Sequence, residues 1–127
     1  MIILDTDVLI EIFDKRSEKG DRAIRKILDT GEEVGTTVIN LHEILYGLQK
    51  YAKPVKDILQ LPVLDYTKDD ASLSAEIELS AERRGTPVRR TDAMIAAITI
   101  SNKASLYTLD IKHFKPIKAL GLLSLVC

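Results

Sequence analysis

The chain has 127 residues, 46% hydrophobic and 29% charged, with a formal charge of −1 and a single cysteine, Cys127. That length suits one domain burying roughly two thirds of its unfolded surface, and one cysteine excludes both an intrachain disulfide framework and a cysteine-rich zinc centre. No apolar run approaches the ~18–20 residues of a membrane span and the first residues lack a signal-peptide pattern, so the expectation is a cytoplasmic protein with no membrane contact.

The net charge hides an asymmetry. Residues 1–82 hold 17 of the 19 acids against 10 of the 18 Lys/Arg, whereas residues 83–127 hold 8 Lys/Arg against Asp92 and Asp110 alone. A basic C-terminal third favours a polyanionic ligand on that side of the molecule.

In chain order, Ile2–Leu4 is a continuous apolar run, the pattern of a strand buried on both faces. Asp7 or Thr6 is expected to cap a following helix that carries Leu9, Ile10 and Phe13. Ala23, Ile24, Ile27 and Leu28 recur at helical spacing up to Gly31, and Glu33–Thr36 reads as a second strand. From Ile39 to Gln49 the stripe Leu41, Ile44, Leu45, Leu48 predicts an amphipathic helix. Lys53–Gln60 is expected to form a short helix entered through Pro54.

Pro62–Leu64 reads as a third strand, and Lys68–Arg84 as a helix stopped by Gly85-Thr86-Pro87. Thr91 is expected to cap a helix over Asp92–Asn102. Ser105–Leu109 follows as a fourth strand and Leu122–Val126 as a fifth at an edge. Strands that alternate with helices predict an α/β fold with a parallel sheet, and nothing in the sequence marks a repeat or a linker.

Two carboxylates, Asp5 and Asp7, sit where the first strand ends, and Asp110 sits where the fourth ends. In a parallel sheet both strand ends lie on the edge that carries ligand crevices. Asp92 falls in the first turn of its helix, where free amide groups and the macrodipole favour a carboxylate. Glu43 shares a helical face with Asn40 and Gly47, bordering the apolar stripe.

Each acid also has an ordinary reading: Asp5 and Asp7 as turn and cap, Asp92 as a first-turn acid, Glu43 as a solvated helix residue, Asp110 as a turn former. Brought together, they would repel one another unless a hard divalent cation such as Mg²⁺ or Mn²⁺ neutralised them. Other candidates are weaker. His42 and His113 lie far apart and have no cysteine partners, so they read as local hydrogen-bonding groups rather than metal ligands. Cys127 has no base partner. Arg89 and Arg90 read as phosphate contacts or as solvated loop residues, and Tyr46 as a base-stacking or a packing residue.

Four segments carry a resemblance: Leu4-Asp5-Thr6-Asp7-Val8-Leu9-Ile10, Asn40-Leu41-His42-Glu43-Ile44-Leu45-Tyr46-Gly47, Thr91-Asp92-Ala93-Met94-Ile95-Ala96-Ala97 and Thr108-Leu109-Asp110-Ile111-Lys112-His113-Phe114. They are similar to the four motifs of PIN-domain nucleases, and their order and spacing resemble the VapC toxins of toxin–antitoxin pairs. The resemblance implies a single PIN domain over residues 1–127, a three-layer α/β sandwich with a central, mostly parallel sheet of four to five strands flanked by helices. It implies Mg²⁺- or Mn²⁺-dependent hydrolysis of RNA phosphodiester bonds, with Asp5, Glu43, Asp92 and Asp110 as metal-binding and catalytic acids and Thr6 and Asp7 beside the first. Asn is common in the family where this chain has Asp7. A cognate antitoxin protein and a homodimer are implied in the same way.

Two alternatives stay open at this level. Asp5-Thr6-Asp7-Val8 also matches the nucleophile motif of haloacid-dehalogenase-like phosphatases, with Asp5 attacking phosphorus, although the only Asp-Asp, Asp69-Asp70, lies midway along the chain. A catalytically degenerate PIN scaffold that only binds is the other.

Overall fold

The computed structural model describes residues 1–121 and 123–126, so Cys127, and Leu122 of the expected fifth strand, lie outside the described residues. Five short strands form one sheet: β1 (Ile2–Leu4), β2 (Val34–Thr37), β3 (Val63–Leu64), β4 (Ser105–Tyr107) and β5 (Ser124–Leu125). Their order is β3-β2-β1-β4-β5 and every pairing is parallel, so the expected mostly parallel sheet is parallel throughout its described strands. The first strand in sequence is therefore the central one. It pairs Ile2 with Val34 on one side and Ser105 on the other, and Ile2, Ile3 and Leu4 are sealed from solvent. That is why the run is apolar without alternation.

The helices are α1 (Thr6–Leu9), which widens into a π-helical stretch over Ile10–Lys15, then α2 (Glu18–Thr30), α3 (Val38–Lys50), α4 (Lys68–Arg83), α5 (Arg90–Ser101) and α6 (Ile111–Lys118). They form layers on the two faces of the sheet, and the pleat decides which strand residue meets which layer. Ile3 and Leu106 point into a core with Ile77 of α4, Ala93, Ala96 and Ala97 of α5, and Phe114 and Ile117 of α6. Ile2, Leu4 and Tyr107 point the other way, into Val8, Leu9, Ala23, Ile27, Ile44 and Leu48. The three small alanines on α5 let that helix approach the sheet closely.

Several boundaries depart from the sequence reading. Asp5, rather than Thr6 or Asp7, occupies the cap position of α1, its carboxylate accepting the Thr6 N–H at 2.9 Å. Lys53–Gln60 is not a helix; a single 3₁₀ turn forms at Ile58–Gln60. Helix α5 starts earlier than expected: Arg89 is its cap residue, and Thr91 lies inside the first turn without capping it. Helix α6 has no counterpart in the sequence reading. It is short and contains Pro116, whose missing N–H normally argues against a helix interior. Gly31 and Gly85 do end their helices in the left-handed conformation, at φ 68° and 78°. Of the α2 stripe, Ala23 and Ile27 are buried, but Leu28 is 71% exposed and faces solvent.

Candidate active site

The parallel sheet delivers the carboxyl ends of β1 and β4, side by side, to one edge. The Asp5 N–H donates to the Tyr107 carbonyl at 2.9 Å, so the chain leaves β1 beside the point where it leaves β4. Asp5 then enters α1, and Thr108, Leu109 and Asp110 lead from β4 to α6. Helix α3 starts directly at the end of β2, and the first turn of α5 comes to the same edge. A cleft of about 220 Å³ opens there. Its walls are Asp5, Thr6, Asp7 and Ile10 from the first segment, Glu43 from α3, Arg89, Thr91 and Asp92 from α5, and Asp110 and His113.

All four acids singled out from the sequence line this cleft, together with Asp7. Asp5 and Asp92 are buried, whereas the Asp110 side chain is about half exposed. A concavity of about 360 Å³ lies elsewhere, between Phe13, Leu48 and Pro54, but both of its carboxylates are already paired, Asp14 with Lys53 and Asp57 with Arg16. Volume does not mark the site; unmatched carboxylates do.

Asp5 is the most tightly held of the set. Oδ1 accepts from the Thr6 N–H and from Asn40 Nδ2 at 3.0 Å, and Oδ2 accepts from the Thr108 hydroxyl at 2.8 Å. Asn40 is completely buried and also donates to Thr6 Oγ1, while its own Oδ1 accepts from the Thr37 hydroxyl. Thr37 in turn caps α3 by accepting the Asn40 N–H. One chain of polar contacts thus runs from the start of α3 to the end of β1. Thr6 hands it on, donating to Glu43 Oε1 at 3.0 Å.

Burial pushes the Asp5 carboxyl up to about 6, reinforced by the negative charge of Asp7 and opposed by the Thr108 and Thr6 hydrogen bonds. Asp7 is raised as well, chiefly by burial, although the Leu109 N–H donates to its Oδ2. Its other oxygen, Oδ1, is the buried side-chain oxygen that has no hydrogen-bond partner among the described residues. A buried carboxylate oxygen without a donor is costly unless something electropositive meets it.

The far wall is organised around Arg89. Its Nε donates to Asp92 Oδ2 at 3.0 Å, and its Nη2 lies 2.8 Å from His113 Nδ1. That same ring nitrogen is 3.1 Å from Asp110 Oδ2. The arginine is held firmly in its charged form by Asp92. Among the described residues, no three acidic or imidazole side chains close into a ready-made cation cage. The acids line one cleft from several elements, and a guanidinium is bonded to one of them, Asp92.

The sequence reading grouped Arg89 with Arg90, but the structure separates them. Arg90 points away and makes a two-pronged pair with Glu78, at 3.0 and 3.1 Å. His113, read as a local hydrogen-bonding group, reaches the cleft because α6 turns it back toward α5. Asn40 and Thr108, which hold Asp5, were not chosen as site residues. Asn40 shares a helical face with Glu43 in the sequence, and that was the available signal. Tyr46 is 64% exposed, with Lys50 Nζ 5.8 Å from its ring centroid, rather than packed in a core.

The PIN domain family matches residues 2–119 of the chain. The chain belongs to the PIN-domain family. This PIN domain is 24% identical over 122 residues to Ribonuclease VapC2 of Rickettsia felis, covering 91% of this chain and 90% of that protein. It is 33% identical over 86 residues to the tRNA(fMet)-specific endonuclease VapC of Salmonella typhimurium, covering 62% of this chain and 65% of that one. Among solved structures it resembles the DNA-bound VapBC of Salmonella typhimurium, with a TM-score of 0.77 and 26% identity over 98% of this chain and 96% of that one. FitAcB from Neisseria gonorrhoeae gives a TM-score of 0.80 at 22% identity, over 100% and 97%.

PIN membership sets aside the haloacid-dehalogenase alternative. So does the place of Asp70, which that chemistry would need near Asp5. Asp70 instead completes a capping box with Thr67 at the start of α4.

Proposed function

We propose that this PIN domain is a metal-dependent endoribonuclease, the toxin of a VapBC-type toxin–antitoxin pair. One observation carries the reading: five carboxylates and a threonine hydroxyl converge on one cleft, and Asp7 Oδ1 is buried there without a partner among the described residues. Hard oxygen donors with surplus negative charge fit Mg²⁺ or Mn²⁺ and not a softer metal. Asp5, Glu43, Asp92 and Asp110 would hold the cation, with Asp7 as a further oxygen donor. Bound there, the cation would supply Lewis-acid polarisation of the phosphate and activation of the attacking water.

The chain's own groups supply orientation. Asn40, Thr6 and Thr108 fix the Asp5 carboxylate from both sides, so its direction does not depend on what occupies the cleft. Arg89 lines the cleft with a largely exposed side chain, in reach of a substrate phosphate, and residues 83–127 as a whole carry a basic excess that favours a polyanion. The reading includes a cognate antitoxin that blocks the cleft, a homodimer, and action in the cytoplasm. The names of the relatives above support its ribonuclease and toxin–antitoxin parts.

The test is cleavage of an internal phosphodiester in RNA with Mn²⁺, alongside a small phosphomonoester. Cleavage of the RNA, loss of it in EDTA and an untouched phosphomonoester are expected. Intact RNA under conditions where the protein binds Mn²⁺ would leave a degenerate binding scaffold as the reading to adopt.

A further inference from the structure

A crowded acid cluster needs a counter-charge whether or not a cation is present, and the structure shows where this chain keeps one. Arg89 caps α5, and its guanidinium folds back over the first turn onto Asp92, whose side chain is only 7% exposed. The pair is therefore closed on one side by protein and open on the other. The charges of Glu43 and Asp5 also act on Arg89 across the cleft. No comparable bond fixes Arg90, the next residue, to the cleft, since Glu78 holds it elsewhere.

The contact with His113 adds a constraint from elementary hydrogen-bond chemistry. Arginine can only donate, so His113 Nδ1 must accept when it bonds Arg89 Nη2. The same nitrogen lies 3.1 Å from Asp110 Oδ2, which can only receive a hydrogen from it. One ring nitrogen cannot do both. With Arg89 in place, the imidazole serves the arginine. With Arg89 withdrawn, it is free to carry a hydrogen toward Asp110.

From this we infer that Arg89 is the resident counter-ion of the cleft: a divalent cation drawn to Asp92 competes with the guanidinium for that carboxylate. The inference rests on the cation reading of the cleft and deepens it, because it makes cation affinity an exchange rather than a simple association. Arg89 lowers the affinity by its own hold on Asp92, and it protects the cation-free protein against repulsion among the acids.

Mn²⁺ titration by calorimetry of the intact protein, the Arg89→Gln variant and the Arg90→Gln variant tests this without any activity measurement. Arg89→Gln is expected to bind Mn²⁺ roughly tenfold more tightly, the scale of a lost charge-assisted hydrogen bond to a buried carboxylate. Arg90→Gln should bind as the parent does. In EDTA, Arg89→Gln should melt lower than the parent, and saturating Mn²⁺ should raise its melting temperature by more. Equal or weaker Mn²⁺ binding by folded Arg89→Gln would overturn the inference while leaving the cation reading intact. No Mn²⁺ binding by parent or variant would remove the cation reading and the inference with it.

Discussion

Asn40 gives its side-chain amide to Asp5 Oδ1 at 3.0 Å, and neither residue lies on an element adjacent in sequence to the other's. The contact exists because β2 runs beside β1 and turns at once into α3, which places the buried first turn of that helix against the end of the central strand. Asn40 is fully sealed, and each polar atom of its side chain is matched: Oδ1 by Thr37, Nδ2 by Asp5 and Thr6. Asn40→Ala should therefore cost about 1–3 kcal/mol, since it strands the Thr37 hydroxyl and one side of Asp5. Chemical denaturation checks the stability. RNA cleavage should fall by more than RNA binding does, because Asp5 loses direction while the basic surface is untouched.

The raised carboxyl of Asp5 gives a stability that depends on pH in an unusual direction. Its folded value of about 6 lies above the ordinary 3.8, so between those values the folded chain holds a proton that the unfolded chain has lost. Stability from this group is fully present below about pH 4 and is lost as pH rises through 6, on the order of 3 kcal/mol at most. Asp5→Asn removes the titration. In EDTA at pH 7 the variant should melt above the parent, and the gap should close by pH 4. A gap that stays constant with pH would show that Asp5 does not titrate in this window.

Asp5→Asn and Asp92→Asn should both abolish RNA cleavage while leaving the circular dichroism spectrum unchanged, because the amide keeps the shape of each side chain and removes its charge. Cleavage by the parent should stop in EDTA and return with Mg²⁺ or Mn²⁺. Full activity in chelator, with contaminating nuclease excluded, would remove the metal mechanism.

The two adjacent arginines should behave differently toward RNA. In an inactive Asp5→Asn background, Arg89→Ala should flatten the dependence of RNA affinity on salt by about one phosphate contact, a slope change of roughly 0.7 for a single strand. Arg90→Ala should leave the slope as it is, since its guanidinium is committed to Glu78. Equal effects from both would mean that Arg90 exchanges partners when RNA arrives.

Gly20 sets propensity against packing. It lies buried in α2, and a Cβ there would run into the backbone of Glu11 and Ile12 in the π-helical stretch. Alanine favours a helix over glycine by about 1 kcal/mol, yet Gly20→Ala should lower the melting temperature, because neither backbone can yield cheaply. A rise in melting temperature would show that the π-helical stretch gives way.

The parts of this protein that depend on local pattern are legible in its residues alone. An uninterrupted Ile2–Leu4 marks a strand buried on both faces, the 3.6-residue stripe Leu41, Ile44, Leu45, Leu48 places α3, and Gly31 and Gly85 end helices through a backbone conformation that other residues avoid. Asp5 and Asp110 were legible as site candidates because strand ends in a parallel sheet share an edge. What those acids meet depends on packing between distant elements. That Arg89 turns into the cleft while Arg90 turns to Glu78 depends on side-chain directions around α5 and on α4 lying beside it, neither of which spacing encodes. His113 reaches Asp110 and Arg89 because α6 forms despite Pro116, with Phe114 and Ile117 buried against α4 and α5. Long-range packing overrode a local preference there. The same holds for Asp7, whose orphaned oxygen is a consequence of burial, a property that a residue acquires only from neighbours far along the chain.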